Sequence, residues 1–470
     1  MTNPADLSCL AGFAAAEAGD HTAAMALYTE AVAHDPERVD LRLVLANAQR
    51  LAGEVLAARR TLRGGVAAAQ RAPIEQAYAL AGLLVELGEG ATAVPLFTRV
   101  ATQRPKDAGA LAALATALRD AGQLPAAMTR AQRAMALAPS NPAVLFARGQ
   151  VYHARGDTTA AIADYDRALR HRPAHAPTLL QRGYSRLLAG DHAGGWTDYE
   201  ARGLPVSSTG ARDWHGEPLE GGSLLLLAEQ GIGDQLQFLR FAALAQARGA
   251  GRVMVEAHAS LVGLLRANAI DAVPRGSPPP SDWSAPLLSL PHRLGLGADV
   301  MTGAVPYLRA TPGPAPLLPV PKGRPRLGLV WSGNPEFPRN AERSLDADTV
   351  RALVHTDTVD WIALQQGPAA LDLEGVVPSV GTLTDWETTA RVLAALDGLV
   401  TTCTGIAHLA GAMGVPVFVL LPVVPDWRWG LRTERSPWYP SARLVRQRQP
   451  GDWQSVTQAL HAAVATTASR

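Results

Sequence analysis

The chain has 470 residues, 43 Lys and Arg against 42 Asp and Glu, and two cysteines. At roughly 100–200 residues per domain this length holds about two to four domains, and a formal net charge of +1 gives no global pull towards nucleic acid or an anionic membrane. Cys9 and Cys403 are too few for a disulfide scaffold and lie in no metal-ligand spacing, which fits a reducing cytoplasm.

The N-terminal MTNPADLSCL lacks a basic n-region and carries Asp6, so no secretory signal is expected. The longest apolar run, Gly414 to Val424, is about half the roughly 20 residues a membrane helix needs and reads as a buried strand. Tryptophan is unevenly placed. All ten lie after residue 195, while the alanine-rich first part has none. Two halves built by different rules are expected.

In the first half, glycine recurs at Gly19, Gly53, Gly88, Gly122, Gly156 and Gly190, in steps of 34, 35, 34, 34 and 34. Five residues later stands a small residue: Ala24, Ala58, Ala93, Ala127, Ala161, Gly195. Nine later stand Tyr28, Leu62, Phe97, Ala131, Tyr165 and Tyr199, and seventeen later Pro36, Pro105, Pro139 and Pro173. This is the period and pattern of tetratricopeptide repeats. Glycine permits the tight turn between antiparallel helices. The small residue allows their close approach, the large one fills the gap, and proline ends the second helix. About six units over residues 1–205 form a superhelix whose concave face is expected to hold a protein partner. A scaffold that packs or forms a homo-oligomer is the alternative. The only asparagines in this stretch are Asn3, Asn47 and Asn141, so no asparagine ladder for capturing a peptide backbone is expected.

From residue 206 the pattern becomes α/β. Apolar runs at 224–228 and 252–256 read as strands, with helices to about Arg248 and at 259–267. A proline-rich linker is expected at 311–325. Strands follow at 326–331, 359–365, 395–402 and 415–421, then a C-terminal helix from 452 to 470. Continuous apolar strands alternating with helices imply parallel sheets covered on both faces. Two Rossmann-like domains, 206–310 and 326–451, with a cleft between them are expected.

Three segments carry candidate chemistry. Gly231-Ile232-Gly233-Asp234 follows the first apolar strand. It reads as a partial dinucleotide fingerprint, with Glu256 as ribose acid and Leu236 where the third glycine belongs. It also reads as a turn presenting Asp234 as a general base, or as a helix cap. Trp331-Ser332-Gly333-Asn334, with Arg339, Asn340, Arg343 and Ser344, is a donor-rich turn and basic loop suited to phosphate. Cys403-Thr404-Gly405-Ile406-Ala407-His408 places a helix N-terminus after a strand, suited to a diphosphate. Asp346-Ala347-Asp348 spells the DxD of metal-dependent glycosyltransferases but reads as a helix cap. No metal and no cofactor are expected.

The pieces EQGIGDQLQFLRF, LGLVWSGNP with RNAERS, CTGIAHLAGAMGVPV, PDWRWG and SPWYPSARL, in this order, resemble bacterial proteins that join tetratricopeptide repeats to a glycosyltransferase. That catalytic half is similar to the lipopolysaccharide heptosyltransferases and, more distantly, to O-GlcNAc transferase. The resemblance implies an all-α repeat superhelix followed by a GT-B fold. It implies inverting transfer of a sugar from a nucleotide sugar to a hydroxyl, a Ser or Thr of a protein such as flagellin. Asp234 matches the catalytic base, after the turn glycines Gly231 and Gly233. Ser332 and Asn334 match the donor-side turn. Arg339 and Arg343 stand where the family places a phosphate-binding lysine. Thr404, Gly405 and His408 match the segment holding the donor nucleotide. Cys403 departs from the family aspartate. An inactive binding module and a dinucleotide-dependent oxidoreductase remain the alternatives.

Overall fold

The computed structural model describes residues 3–297, 305–313, 323–335, 337, 339–374, 376–378, 383 and 385–468. It divides into two compact units at residues 178/179. The expected linker prolines Pro314, Pro316, Pro319 and Pro321 lie outside the described residues.

The first unit is a stack of helical hairpins: α1 (Pro4–Glu17) with α2 (His21–His34), α3 (Val39–Leu51) with α4 (Val55–Ala69), α5 (Ile74–Glu86) with α6 (Gly90–Gln103), α7 (Ala108–Asp120) with α8 (Leu124–Leu137), and α9 (Pro142–Ala154) with α10 (Thr158–His171). The periodic glycines end the first helix of each pair at φ between 73° and 82°. The residue after each closes the turn by donating its N–H five residues back, as Asp20 does to Ala15 (2.9 Å) and Glu89 to Leu84 (2.7 Å). These are Schellman bonds, which satisfy carbonyls the helix end leaves open. Ala58, Ala93, Ala127 and Ala161 have no exposed surface. Tyr28 and Tyr165 fill the space over Gly12 and Gly149, where a Cβ would lie 2.5 and 2.6 Å from the rings. A second periodicity was not visible in the glycine spacing. Arg99, Arg133 and Arg167, 34 residues apart, each donate to carbonyls of the preceding repeat: Ala69 and Ala72, Pro105, and Pro139.

A sixth pair follows, α11 (Ala176–Ala189) and α12 (His192–Tyr199), and the boundary between the units falls in the first turn of α11. Trp196 and Tyr199 share one apolar core with the α/β region, so the compact boundary falls one repeat before residue 205. The first sheet comprises β1 (Arg212–Asp213), β2 (Ser223–Leu227), β3 (Arg252–Ala257), β4 (Ala272–Pro274) and β5 (Trp283–Pro286), all parallel, in the order β1-β5-β2-β3-β4. Its helices are α13 (Ile232–Phe238), α14 (Ala242–Gln246), α15 (Ala259–Ala267) and α16 (Leu290–Arg293). The second sheet comprises β6 (Arg326–Val330), β7 (Asp360–Ala363), β8 (Val377–Pro378), β9 (Gly398–Thr402), β10 (Val417–Leu421) and β11 (Ala442–Arg446). It is also parallel, ordered β11-β10-β9-β6-β7-β8, with Val330 beside Thr401. Its helices are α17 (Asn340–Arg343), α18 (Ala347–Val354), α19 (Trp386–Ala394), α20 (Gly405–Met413) and α21 (Trp453–Ala468).

Every residue of β9 and β10 is buried, as a sheet covered on both faces requires. In each sheet the strand order reverses once, between β2 and β5 and between β6 and β9. Open α/β sheets bind ligands outside the carboxyl ends of strands at such points.

Three expectations need correction. The helix expected from 232 to about 248 is broken by a 3₁₀ turn at Leu239–Phe241. The run at 415–421 is not the last strand, since β11 follows it. The resemblance to GT-B glycosyltransferases implies a C-terminal helix that crosses back to the first sheet. Instead Trp453, Val456, Leu460 and Val464 join a core with Leu327, Val350 and Leu353 of the second sheet region. His461 Nε2 donates to the Leu353 carbonyl at 2.8 Å.

Candidate functional site

The turn after β2 is held from several sides. Glu229 is buried and takes a two-pronged pair from Arg202, at 2.8 and 2.7 Å. Glu256, at the end of β3, accepts from the backbone N–H of Ala228 (3.1 Å) and of Gly276 (3.0 Å). Its two oxygens thus tie backbone loops, which removes the ribose-binding role considered for it. Gln230 sits at φ 55°, a left-handed conformation rare for a residue with a side chain. Its Nε2 donates to the Tyr199 hydroxyl at 2.8 Å. Asp234 lies in the first turn of α13, and its Oδ2 accepts from the Gly231 N–H at 2.9 Å. A Cβ on Gly233 would lie 3.0 Å from His408 Cδ2 and 3.2 Å from Gly405 Cα. The glycine at 233 therefore answers to the close approach of α20.

The second sheet brings the other two segments together. The Trp331 and Ser332 N–H groups after β6 donate to Gln365 Oε1 at 3.1 and 2.9 Å. Ser332 Oγ lies 3.1 Å from Ser344 Oγ. Arg343 donates to the Cys403 carbonyl (2.8 Å) and to Asn340 Oδ1 (3.1 Å), bridging the ends of β6 and β9. Arg339 pairs instead with Glu342 at 2.6 Å, on the surface. The backbone carbonyl of Asn334 accepts from the Phe337 N–H at 3.1 Å. Thr404 precedes α20, and its Oγ1 lies 2.9 Å from Thr401 Oγ1. Asp346 caps α18 by accepting from the Thr349 N–H at 2.7 Å, and Asp348 pairs with Arg351 on the surface.

Cys403 Sγ accepts from Trp429 Nε1 at 3.0 Å. Burial, with the nearby Asp426 carboxylate, pushes its thiol up to about 11, so it stays protonated and unreactive at neutral pH. His408 is buried, stacked on Trp429 at 5.3 Å, with Nδ1 3.0 Å from the Tyr439 hydroxyl. Burial, and next the Arg428 charge, lower its pKa to about 3. It is thus a neutral imidazole at physiological pH.

Arg428 joins these segments, although no sequence motif singles it out. It is 6% exposed and packs on the Trp427 ring at 4.2 Å. Its Nη2 pairs with Asp234 Oδ1, its Nη1 with Asp426 Oδ1 at 2.9 Å, and its Nε donates to Gln237 Oε1 at 2.6 Å. Burial alone would lower its pKa, but the Asp426 and Asp234 carboxylates outweigh this and hold it above its ordinary value. Around it, Trp196, Tyr199, Phe238, Trp427 and Trp438 pack edge to face, with Trp196 and Trp427 centroids 5.3 Å apart. All five rings belong to one buried core.

Asp234, Gly233, Gly405, His408 and, through Arg428, Asp426 therefore gather where the ends of β2 and β9 face each other. Arg343 and Ser332 stand at the adjoining end of β6. Among the described residues no group of three or more His, Cys, Asp or Glu could hold a metal ion. Nor is any helix among them long and apolar enough to cross a membrane.

Comparison with known proteins assigns the N-terminal region. Tetratricopeptide repeat patterns match residues 15–83, 78–142 and 112–176. A curated relative, Protein FlbA of Caulobacter vibrioides, is 26% identical over 306 residues, 54% of this chain and 49% of that protein. The chain thus spans about half the length of that relative. Similar solved structures include YrrB, described as a tetratricopeptide repeat protein with an unusual peptide-binding site (18% identity, TM-score 0.29, 37% of this chain and 88% of that one). Others are a tetratricopeptide repeat protein of Parabacteroides merdae (15%, 0.34, 42% and 78%) and MamA of Desulfovibrio magneticus (17%, 0.30, 37% and 98%).

Proposed function

We propose that the α/β half is an inverting glycosyltransferase of GT-B type, and that the repeats recruit a protein acceptor. The observation that carries this reading is the meeting of the two reversal points: the Gly231–Asp234 turn faces the Thr404–His408 helix start across the Gly233 contact. The sequence resemblance assigns base and donor roles to these same segments.

In this reading the nucleotide sugar lies at the ends of β6 and β9. An acceptor hydroxyl oxygen attacks the anomeric carbon, and the bond from that carbon to the diphosphate oxygen breaks. The hydroxyl proton passes to Asp234. Negative charge gathers on the departing diphosphate, where pre-aimed donors act most strongly. The N–H groups opening α20 and the Arg343 guanidinium are those donors, with neutral His408 as a further one. Arg339, held by Glu342, is left out of this set. No metal is required. Cys403 supplies no carboxylate, so the family aspartate's contact is missing, and Arg343 stands behind its carbonyl instead.

Thermal shift with UDP, GDP, ADP and CMP tests the donor site, since binding stabilises the folded state by mass action. A response to one nucleotide that Arg343→Ala abolishes supports it. No response to any of them favours an inactive binding module.

A further inference from the structure

We propose that Asp426 is a positioning residue of the transfer site, sharing the buried Arg428 guanidinium with Asp234 so that Asp234 can take up a proton without leaving that cation unpaired. The inference rests on the transferase reading for its catalytic meaning but on geometry for its substance.

A guanidinium buried this far needs a carboxylate, and removing the partner of a buried charge is strongly destabilising. Protonating Asp234 is such a removal, because a neutral carboxyl no longer balances Arg428. Arg428, however, has a second carboxylate. Asp426 Oδ1 receives both the Arg428 Nη1 (2.9 Å) and the Arg428 backbone N–H (3.0 Å). The backbone bond caps the 3₁₀ turn Trp427–Trp429, so Asp426 is fixed by local structure independently of Asp234. Gln237 on the Nε side and the Trp427 face complete the enclosure.

The other groups near Asp234 bring no balancing charge. Tyr184 of α11 is pushed up to about 12 by burial first, then by Asp426. Tyr199 of α12 is likewise raised by burial. His408 of α20 is neutral. Arg202 is already matched by Glu229. Among the described residues, Asp234 and Asp426 are thus the two carboxylates that Arg428 can use.

The test is thermal unfolding of the full chain at pH 7 for Asp234→Asn, Asp426→Asn, the double variant, and the double variant carrying Arg428→Met. Each single change should lower Tm modestly. The double should lower it by clearly more than their sum, and Arg428→Met should recover much of that loss. Additive shifts, or no recovery, would overturn the proposal. Turnover provides a second reading. Asp426→Asn should lower kcat at least tenfold with KM for the nucleotide sugar within twofold, and Asp426→Glu should restore most of it. Asp426→Asn with Arg428→Met should exceed Asp426→Asn alone, a reversal that a merely structural role would not give. Full turnover in Asp234→Asn would remove the transferase reading while leaving the Tm coupling to decide the shared-cation claim.

Discussion

Replacing His408 by Asn isolates a pH dependence that the buried imidazole imposes on stability. In the folded chain its pKa is lowered from an ordinary 6.5 to about 3, by burial first and the Arg428 charge next. Between those values the unfolded chain binds a proton that the folded chain refuses. Stability from this residue is therefore complete above pH 6.5 and falls as the pH drops. The slope is about 1.4 kcal/mol per pH unit. From pH 7 to pH 5 the loss is about 2 kcal/mol, since the first half unit lies above the unfolded pKa. Asn keeps a polar atom near the Tyr439 hydroxyl, 3.0 Å from Nδ1 in the native chain, but does not titrate. Urea unfolding at pH 7 and pH 5 should show the wild-type chain losing about 2 kcal/mol more than the variant. Equal losses, or a His408 resonance titrating near 6.5 in the folded chain, would refute the reasoning.

Three further outcomes follow from the packing. Gly233→Ala forces a methyl group to 3.0 Å from His408 Cδ2 and 3.2 Å from Gly405 Cα, and overpacking of this kind costs about 1–3 kcal/mol. It should abolish the nucleotide-induced Tm shift while the chain stays folded by circular dichroism; an unaltered shift would count against the convergence of the two turns. In the repeats, Gly149→Ala gains about 1 kcal/mol of helix propensity but sets its Cβ 2.6 Å from the Tyr165 ring, so it should destabilise. Gly82→Ala, with open space around it, should stabilise, and denaturant midpoints of the two variants give the comparison. Ending the chain at Gln449 removes the buried Trp453, Val456, Leu460 and Val464, at about 1.5–3 kcal/mol each. Limited proteolysis should then cut within the second sheet region; a resistant truncated chain would contradict the assignment of α21 to that sheet.

The repeats could be read from sequence because their turn is local. A glycine at positive φ, an alanine five residues on and a large residue nine on describe one hairpin, and periodicity multiplies the signal. The long apolar strands were read for the same reason: β2, β3, β6, β9 and β10 lie within a few residues of their expected spans. β5 and β11 were missed because WSAP and ARLVR contain no continuous apolar run, and the exposed Arg443 breaks the pattern. Segments bearing candidate chemistry were identifiable as turns after strands. Which of their side chains meet was not. Arg339 and Arg343 look equivalent in sequence, but Arg343 alone reaches the Cys403 carbonyl. Arg428 and Asp234 lie 194 residues apart, and only the folding of two sheets against each other pairs them. The one local trace was an arginine enclosed by two tryptophans and preceded by an aspartate in PDWRWG.

The proposed role of Asp234 is to take up the acceptor's proton in sugar transfer. Its most direct test is turnover of the nucleotide sugar identified by thermal shift, compared between the wild-type chain and Asp234→Asn. The proposal predicts turnover lowered by about 10²–10⁴ with the nucleotide-induced Tm shift preserved. Wild-type turnover in the variant would contradict it.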